Sequence, residues 1–475
     1  MPHLALVVLA LLGPADPPAP AGPVDVIAAL ETALGDAIAL AEPSVVAIAR
    51  DKDGKADATT AVRGRNPAPI RREEAVPFGA FRGFEEMELP DYIASDYGSG
   101  VVIGDKGEIL TTFSVVKGAS KLIVRAPGRE FEAEVIAADP RSDLAVIGPS
   151  DPEVARRGGF HPIKLGDASR LRKGMFLLAL GNPFNAGRDG RASASWGILA
   201  NTARRIDPSQ VEPARRQLRH YPTMLQLDAK LNLGMSGGAV VNFRGELVGL
   251  TSNAANVGGF DAQAGYALPV DALFRRAIEA LRQGKEVEYG FLGVQLPGDN
   301  SNRIEGVQPG TPAGEGGLVV RDAILSIGGL KVVDSDSLVL AVNAFSPGTP
   351  IKLRLLREGE EIEKTVVLSK LPIQGEVIAT NRRAPWRGLR VDFVSTNPRV
   401  VFGVALMRAM AVGGVVVSEV QASSVADEAG LKPGTLILKV DGQAVKSPDE
   451  FSAAVADKKG PITLTIEGDR EVILK

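Results

Sequence analysis

The chain of 475 residues contains no cysteine. Disulfides, thiol nucleophiles and cysteine-bound metals are thereby excluded, while the compartment is left open. Histidine is almost as scarce: His3, His161 and His220 are the whole supply. Any chemistry that needs an imidazole base must draw on those three. Aromatic residues make up only 5% of the chain, whereas glycine and proline number 53 and 32. That balance suits many short strands and turns better than long helices. Charge of one sign is lacking too, with 54 basic residues against 57 acidic ones and a net charge of -3. No imbalance points to nucleic acid or to an anionic membrane. Long apolar runs are absent. The run Leu4 to Leu12 has nine residues, where a bilayer span needs about 20. With small residues Ala15, Ala19 and Ala21 behind it, although without a basic residue before it, residues 1–21 are expected to be an export signal. The expected location is periplasmic or extracellular. No metal or cofactor motif is present, and no cofactor is expected.

What is present reads as strands separated by turns. A chain of this length predicts roughly three domains of about 150 residues. Ile27, Leu30, Leu34, Ile38 and Ala41 recur at helical spacing before Pro43 stops the pattern. Ser44 to Ile48 reads as a first strand, and 51–91, rich in charge, Pro and Gly, reads as a long loop carrying Phe78, Phe81 and Phe84. From Tyr97 to Asn256 short strands follow one another at a spacing that argues for an antiparallel sandwich or barrel pair, not βαβ units. Arg204 to His220 is a polar insertion, and Asp271 to Arg282 reads as an amphipathic helix. The remainder holds a weak repeat: the pattern from Gly317 to Gly329 returns 113 positions later, from Gly430 to Gly442. Two copies of a small domain of about 85 residues, with a linker at 373–386, are expected.

One stretch organises the rest. In Gly234-Met235-Ser236-Gly237-Gly238 a serine sits in a glycine-rich turn that runs straight into the strand Ala239-Val240-Val241. Backbone N–H groups on either side of such a serine can aim at one oxygen and form an oxyanion hole for acyl transfer, the alternative being a Gly-rich hairpin with an incidental serine. The glycines supply the unusual dihedrals such a turn requires.

Taken together, these motifs resemble the HtrA (Deg-type) family of exported trypsin-like serine proteases. Gly98 to Ile103 and Gly107 to Thr111 match the strands before the family's histidine. Asp139-Pro140-Arg141-Ser142-Asp143-Leu144 matches the segment that bears its aspartate, and Gly181-Asn182-Pro183-Phe184 is shared as well. The resemblance implies a mainly β fold: a trypsin-like double β-barrel over 24–284, a PDZ domain over 288–372, a linker, and a second PDZ domain over 387–475. It also implies Asp143 and Ser236 as catalytic residues, with Gly234 and Ser236 as oxyanion donors. In the first PDZ copy Phe291, Leu292, Gly293 and Val294 are implied as the loop that holds a peptide's terminal carboxylate. Gly388 to Val391 is the looser match in the second copy.

The family's histidine is missing. Where it has Thr-Asn-Asn-His-Val-Val, this chain has Thr111-Thr112-Phe113-Ser114-Val115-Val116. A serine hydroxyl cannot take up and return a proton near neutral pH, as a triad base must. His161 and His220 fall in loops of the resemblance, and no histidine follows Ser236. Lys117 or Lys230 would serve only with a depressed pKa in a buried pocket. The expectation is a catalytically inactive homologue that binds peptides or unfolded exported proteins as a chaperone, a scaffold or a regulator of an active paralogue. The alternative is an active endopeptidase using a non-standard base or one supplied by a partner chain. Homo-oligomers, trimers by resemblance, are implied.

Overall fold

The computed structural model describes residues 23–51, 97–182, 189–205, 223–252, 265–297, 300–372, 377–397, 410 and 412–475. The expected export signal, His3, His220, the Phe78–Phe84 stretch and most of the polar insertion lie outside them.

Helix α1 (Pro23–Ala41) buries Ala37 and Ala41 in a core that residues of both barrels share, with Leu34 and Ile38 packed against it. The first barrel comprises β1 (Val45–Asp51), β2 (Tyr97–Val102), β3 (Ile109–Thr112), β4 (Lys121–Ala126), β5 (Arg129–Asp139) and β6 (Leu144–Pro149). Its order is β5-β4-β1-β2-β3-β6, and β5 pairs back onto β6 to close it. The period-2 pattern is plain on β5, where Phe131 and Ala133 point inward while Glu130, Glu132 and Glu134 meet solvent. On β6 the alternation vanishes because both faces are covered. Ala145 and Ile147 join the barrel's own core, whereas Leu144 and Val146 join the core shared with its neighbour.

The short helix α2 (Phe113–Val116) joins β3 to β4, and α3 (Pro152–Arg157) follows β6 on the way to the second barrel. It is built from β7 (Phe176–Gly181), β8 (Ser193–Arg205), β9 (Thr223–Leu227), β10 (Ala239–Val241), β11 (Leu247–Thr251) and β12 (Gly265–Pro269). These close in the order β10-β11-β12-β9-β8-β7. Helix α4 (Ala272–Arg282) follows. Asp271 caps it by accepting from the Phe274 N–H at 2.8 Å, and Leu273, Phe274, Ala277, Ile278 and Leu281 form its buried stripe. The double barrel and the two modules beyond it are the architecture expected from the sequence.

The first module contains β13 (Gly290–Phe291), β14 (Val294–Gln295), β15 (Gly306–Val307), α5 (Pro312–Glu315), β16 (Ala323–Ile327), β17 (Leu330–Lys331), α6 (Ser335–Asn343), β18 (Pro350–Arg357), β19 (Glu360–Val367) and β20 (Ser369–Lys370). Strands β16 to β19 form one sheet, while β13–β20 and β14–β15 are two-stranded ladders. Arg321 holds φ 75° where the second module has Gly434 at φ 90°. The less favourable residue is kept in place by its neighbour Asp322, whose carboxylate takes two 2.8 Å bonds from Arg357.

The linker is not a free spacer. Its β21 (Ile378–Ala379) pairs antiparallel with Ala137 and Ala138 of β5, and the Asn381 N–H donates to the Gly284 carbonyl at 2.8 Å. The second module adds β22 (Leu389–Phe393), β23 (Val415–Val420), β24 (Leu436–Val440), β25 (Gln443–Ala444), β26 (Ile462–Ile466) and β27 (Arg470–Leu474), with the helices Val425–Glu428 and Pro448–Val455. Among the described residues no helix is long and apolar enough to cross a membrane.

Candidate functional site

The turn from Gly234 to Gly238 sits where the two barrels meet, and the first barrel clasps it. The Ser99 N–H on β2 donates to the Ser236 carbonyl at 2.8 Å, and the Ser99 hydroxyl donates to the Gly234 carbonyl at 2.8 Å. That hydroxyl also accepts from the Asn182 N–H at 2.7 Å. From the second barrel, the Gly237 N–H donates to the Thr251 carbonyl at 2.8 Å, and the Thr251 hydroxyl bonds the Met235 carbonyl. Gly234 and Gly237 hold φ 94° and 83°. A Cβ on Gly234 would lie 2.3 Å from the Tyr97 ring, and one on Gly237 would lie 2.2 Å from the Ser99 carbonyl oxygen. Only glycine fits either place. Met235 is buried, so its side chain packs inward without altering the backbone of the turn.

With so many carbonyls engaged, two donors are left over. Among the described residues neither the Gly234 nor the Ser236 N–H finds an acceptor. A pair of unpaired N–H groups flanking a serine hydroxyl is a place for a negatively charged or carbonyl oxygen.

Asp143 occupies the corner between β5 and β6 with φ 55°, a left-handed conformation that aspartate adopts at small cost. Its carbonyl accepts from the Phe113 N–H at 2.9 Å, and its Oδ1 accepts from the Ser114 N–H at 2.9 Å. The Ser114 hydroxyl lies 3.5 Å from Oδ2. Ser252, just past β11, donates to that same Oδ2 at 2.9 Å.

Between Ser114 and Ser236 stands Thr112, which is fully buried. Its Oγ1 is 3.0 Å from the Ser114 Oγ and 3.1 Å from the Ser236 Oγ. The result is a chain of hydroxyls from Ser236 through Thr112 and Ser114 to the carboxylate of Asp143. Sequence reasoning brought Ser114, Asp143 and Ser236 together, and the structure places all three in this one network. It missed Ser252 and Thr112. Hydroxyls are common and unremarked in a sequence, and these two reach their partners across 109 and 124 positions. His161, Lys117 and Lys230 are exposed and take no part. Among the described residues no group of three His, Cys, Asp or Glu side chains converges as metal ligands do.

A second site is built at the start of the first module. Gly293 holds φ 86° with its α-carbon pressed against Thr311, 2.2 Å from where a Cβ would stand. The Leu292 and Gly293 carbonyls accept from Ala313 and Gln308, at 2.8 and 3.1 Å. Their N–H groups have no acceptor among the described residues. Beyond them, among the described residues, β14 pairs only with β15, which leaves its other edge open. Phe291, Leu292, Gly293 and Val294 therefore form one loop with two unpaired donors leading into an unpaired strand edge.

The same frame recurs in the second module. Gly388, at φ 81°, presses on Ser424, and the Arg387 and Gly388 carbonyls accept from Ala426 and Gln421. There the loop is tighter. Arg387 is left-handed at φ 48°, Trp386 and Leu389 exchange two 2.8 Å backbone bonds, and the Arg387 guanidinium is tied to the Leu474 and Gly460 carbonyls.

The first module is rooted in the barrel next to Asp143. Tyr289 is fully buried, its hydroxyl bonds Asp139, and the Arg141 guanidinium stacks over its ring at 4.6 Å. Burial, reinforced by the Asp139 carboxylate, holds that hydroxyl well above the ordinary tyrosine range.

Comparison with known proteins agrees with this geometry. Residues 98–250 match the family model of the trypsin-like peptidase domain, and residues 290–368 and 416–468 each match a PDZ domain model. A probable periplasmic serine endoprotease DegP-like of Ectopseudomonas mendocina is 31% identical over 401 residues, covering 78% of this chain and 79% of the relative. The periplasmic serine endoprotease DegP of Salmonella typhimurium is 29% identical over 392 residues, covering 79% and 75%. A probable periplasmic serine endoprotease DegP-like of Chlamydia trachomatis is 28% identical over 402 residues, covering 82% and 75%.

Proposed function

Because the chain belongs to the HtrA/DegP family of trypsin-like serine proteases with PDZ domains, we propose that it is a member that holds peptides and unfolded exported proteins without cutting them efficiently. The observation that carries this reading is the hydroxyl chain. Ser114 stands where Asp143 would orient an imidazole, and the atom that meets the Ser236 hydroxyl is the Thr112 oxygen at 3.1 Å. Neither hydroxyl can accept the Ser236 proton near neutral pH and return it to a leaving amine. In a related triad, losing the histidine lowers turnover by about 10⁶, and the oxyanion hole and binding leave roughly 10³–10⁴ over water. The Gly234 and Ser236 N–H groups thus keep their use as anchors for a bound carbonyl. Incubating the chain with an unfolded protein should give a complex from which the substrate is recovered intact by mass spectrometry. Fragments that disappear in Ser236→Ala would sink the reading.

In the first PDZ module the unpaired N–H groups of Leu292 and Gly293 suit a peptide's terminal carboxylate, and the open edge of β14 suits its preceding residues as an added strand. The tighter loop of the second module makes it the weaker candidate. Relatives named as periplasmic support an exported, periplasmic place for this chain.

A homo-oligomer, trimeric by resemblance, is also part of the proposal. Phe176 and Trp196 are about half exposed and lie 5.4 Å apart, and Phe176 stacks on Phe243 at 6.1 Å. Such an aromatic row on a soluble barrel suits a second copy of the chain. Phe176→Glu should convert the assembled species into monomers in sedimentation velocity, with the circular dichroism spectrum unchanged.

A further inference from the structure

The two PDZ modules share their frame but not their length. Thr311 follows Gly293 by 18 positions, whereas Ser424, in the same role, follows Gly388 by 36. The extra stretch leaves β22 at Val394 and returns through Met410 to β23.

Its two described ends pack onto the first module. On β23 the residues Val415, Val416 and Val417 are all fully buried. A strand with one wet face would alternate, so both faces must be covered. Val415 and Val417 face the second module's own core, and Val416, with Leu436, faces the other way onto Val394 and Met410. Two partly buried side chains pack against this outer cluster, Leu438 and, from the first module, Phe291.

Polar contacts fix the same seat. The Ser395 hydroxyl is 2.5 Å from the Lys370 carbonyl and 2.8 Å from the Ser369 Oγ, and the Lys370 ammonium reaches Asp392 at 2.9 Å. Ser369 and Lys370 form β20, the partner strand of β13, which ends at Phe291. The next residue, Leu292, turns the other way into the first module's core. The loop whose N–H groups lack acceptors among the described residues is therefore gripped on both sides, by its own core through Leu292 and by the second module through Phe291.

We infer that Val394, Ser395 and Met410 are positioning residues for the first module's carboxylate-holding loop, so that docking of the second module sets the first module's affinity for a peptide C-terminus. The inference rests on the reading of Leu292 and Gly293 as carboxylate donors. Its physics is preorganisation. Donors already held in place lose little freedom on binding, and a loop that is competent only part of the time binds more weakly in that proportion.

The test uses the full chain and a fluorescein-labelled peptide ending in a free apolar residue, read by anisotropy, alongside amide hydrogen exchange. Val394→Asp should raise the Kd about tenfold, and Met410→Ala, a milder change that keeps the fold, about threefold. In both, exchange at residues 291–294 should quicken while β16 and β18 stay protected. Phe291→Ala should act like Val394→Asp, and the double variant should add little, because each breaks the same contact. Val394→Ile should behave as wild type. Unchanged exchange at 291–294 in Val394→Asp and Met410→Ala, or faster exchange with an unchanged Kd, overturns the inference. If the wild-type chain fails to bind the free-carboxylate peptide in preference to its amidated form, the carboxylate reading itself falls, and the affinity claim with it.

Discussion

Ser114→His is expected to raise hydrolysis of an unfolded substrate by about 10³-fold over the wild-type chain. On the proposed reading the other parts of a triad are in place. Asp143 already receives the backbone N–H of residue 114 at 2.9 Å, and Ser252 holds its second oxygen at 2.9 Å. A histidine at 114 would thus find its orienting carboxylate aligned. Ser236 is seated, and its flanking donors have no competing acceptor among the described residues. The gain should fall short of the roughly 10⁶ that a triad histidine is worth, because the Thr112 hydroxyl stands within 3.1 Å of the Ser236 Oγ, in the way of the new ring. Thr112→Ala added to Ser114→His should therefore raise the rate about tenfold further. Thr112→Ala alone should not raise it. Chromogenic peptide hydrolysis and fluorophosphonate labelling of Ser236 report the same ranking. No gain in either variant would mean that the donors at Gly234 and Ser236 do not form a working hole.

The second large effect is expected at Lys370→Met, which should lower stability by about 3–5 kcal/mol at neutral pH. The Lys370 ammonium is almost fully buried and lies 3.2 Å from Glu286, 3.0 Å from Glu288 and 2.9 Å from Asp392. Burial alone would lower its pKa, but these carboxylates outweigh that and hold it above the ordinary lysine range. Methionine fills the volume but leaves the acids facing one another. Burial already pushes Glu286 above the usual glutamate range, and removing Lys370 should push it higher. A carboxyl whose pKa is raised on folding binds more protons when native, so its penalty is full above that pKa and shrinks as pH falls through it. The Lys370→Met deficit, read by urea denaturation, should therefore diminish in mild acid. A deficit that grows instead would show that carboxylate repulsion is not its source. Because Glu286, Lys370 and Asp392 join the first module's root to the second module, amide exchange at residues 392–395 should quicken in the same variant.

Much of this was legible in the sequence, and the reasons are local. The Gly234–Gly238 turn announces itself because Gly234 and Gly237 adopt dihedrals, and tolerate approaches, that no other residue would. Barrel strands such as β5 carry their alternation openly, and α4 carries its cap and its stripe. The absence of a histidine at 114 needed only the residues on either side of it. What could not be read is how distant hydroxyls meet. Thr112 looks like any strand residue until the turn of the second barrel is folded against it. The strap Ile378–Ala379 is two residues long, too short for any period to show, and so its stretch read as a spacer. Val415-Val416-Val417 did carry a signal, since an unbroken apolar run marks a strand covered on both faces. Part of what covers the second face, Phe291, lies 125 positions before Val416 and becomes visible only once the modules are packed.

The central claim is that the cleft holds but does not cut, and the direct measurement is the rate at which the purified full chain degrades an unfolded casein-type substrate, set beside Ser236→Ala. Two rates that cannot be told apart are expected, at every chain concentration tested. A wild-type rate at least a hundredfold above the variant's would contradict it.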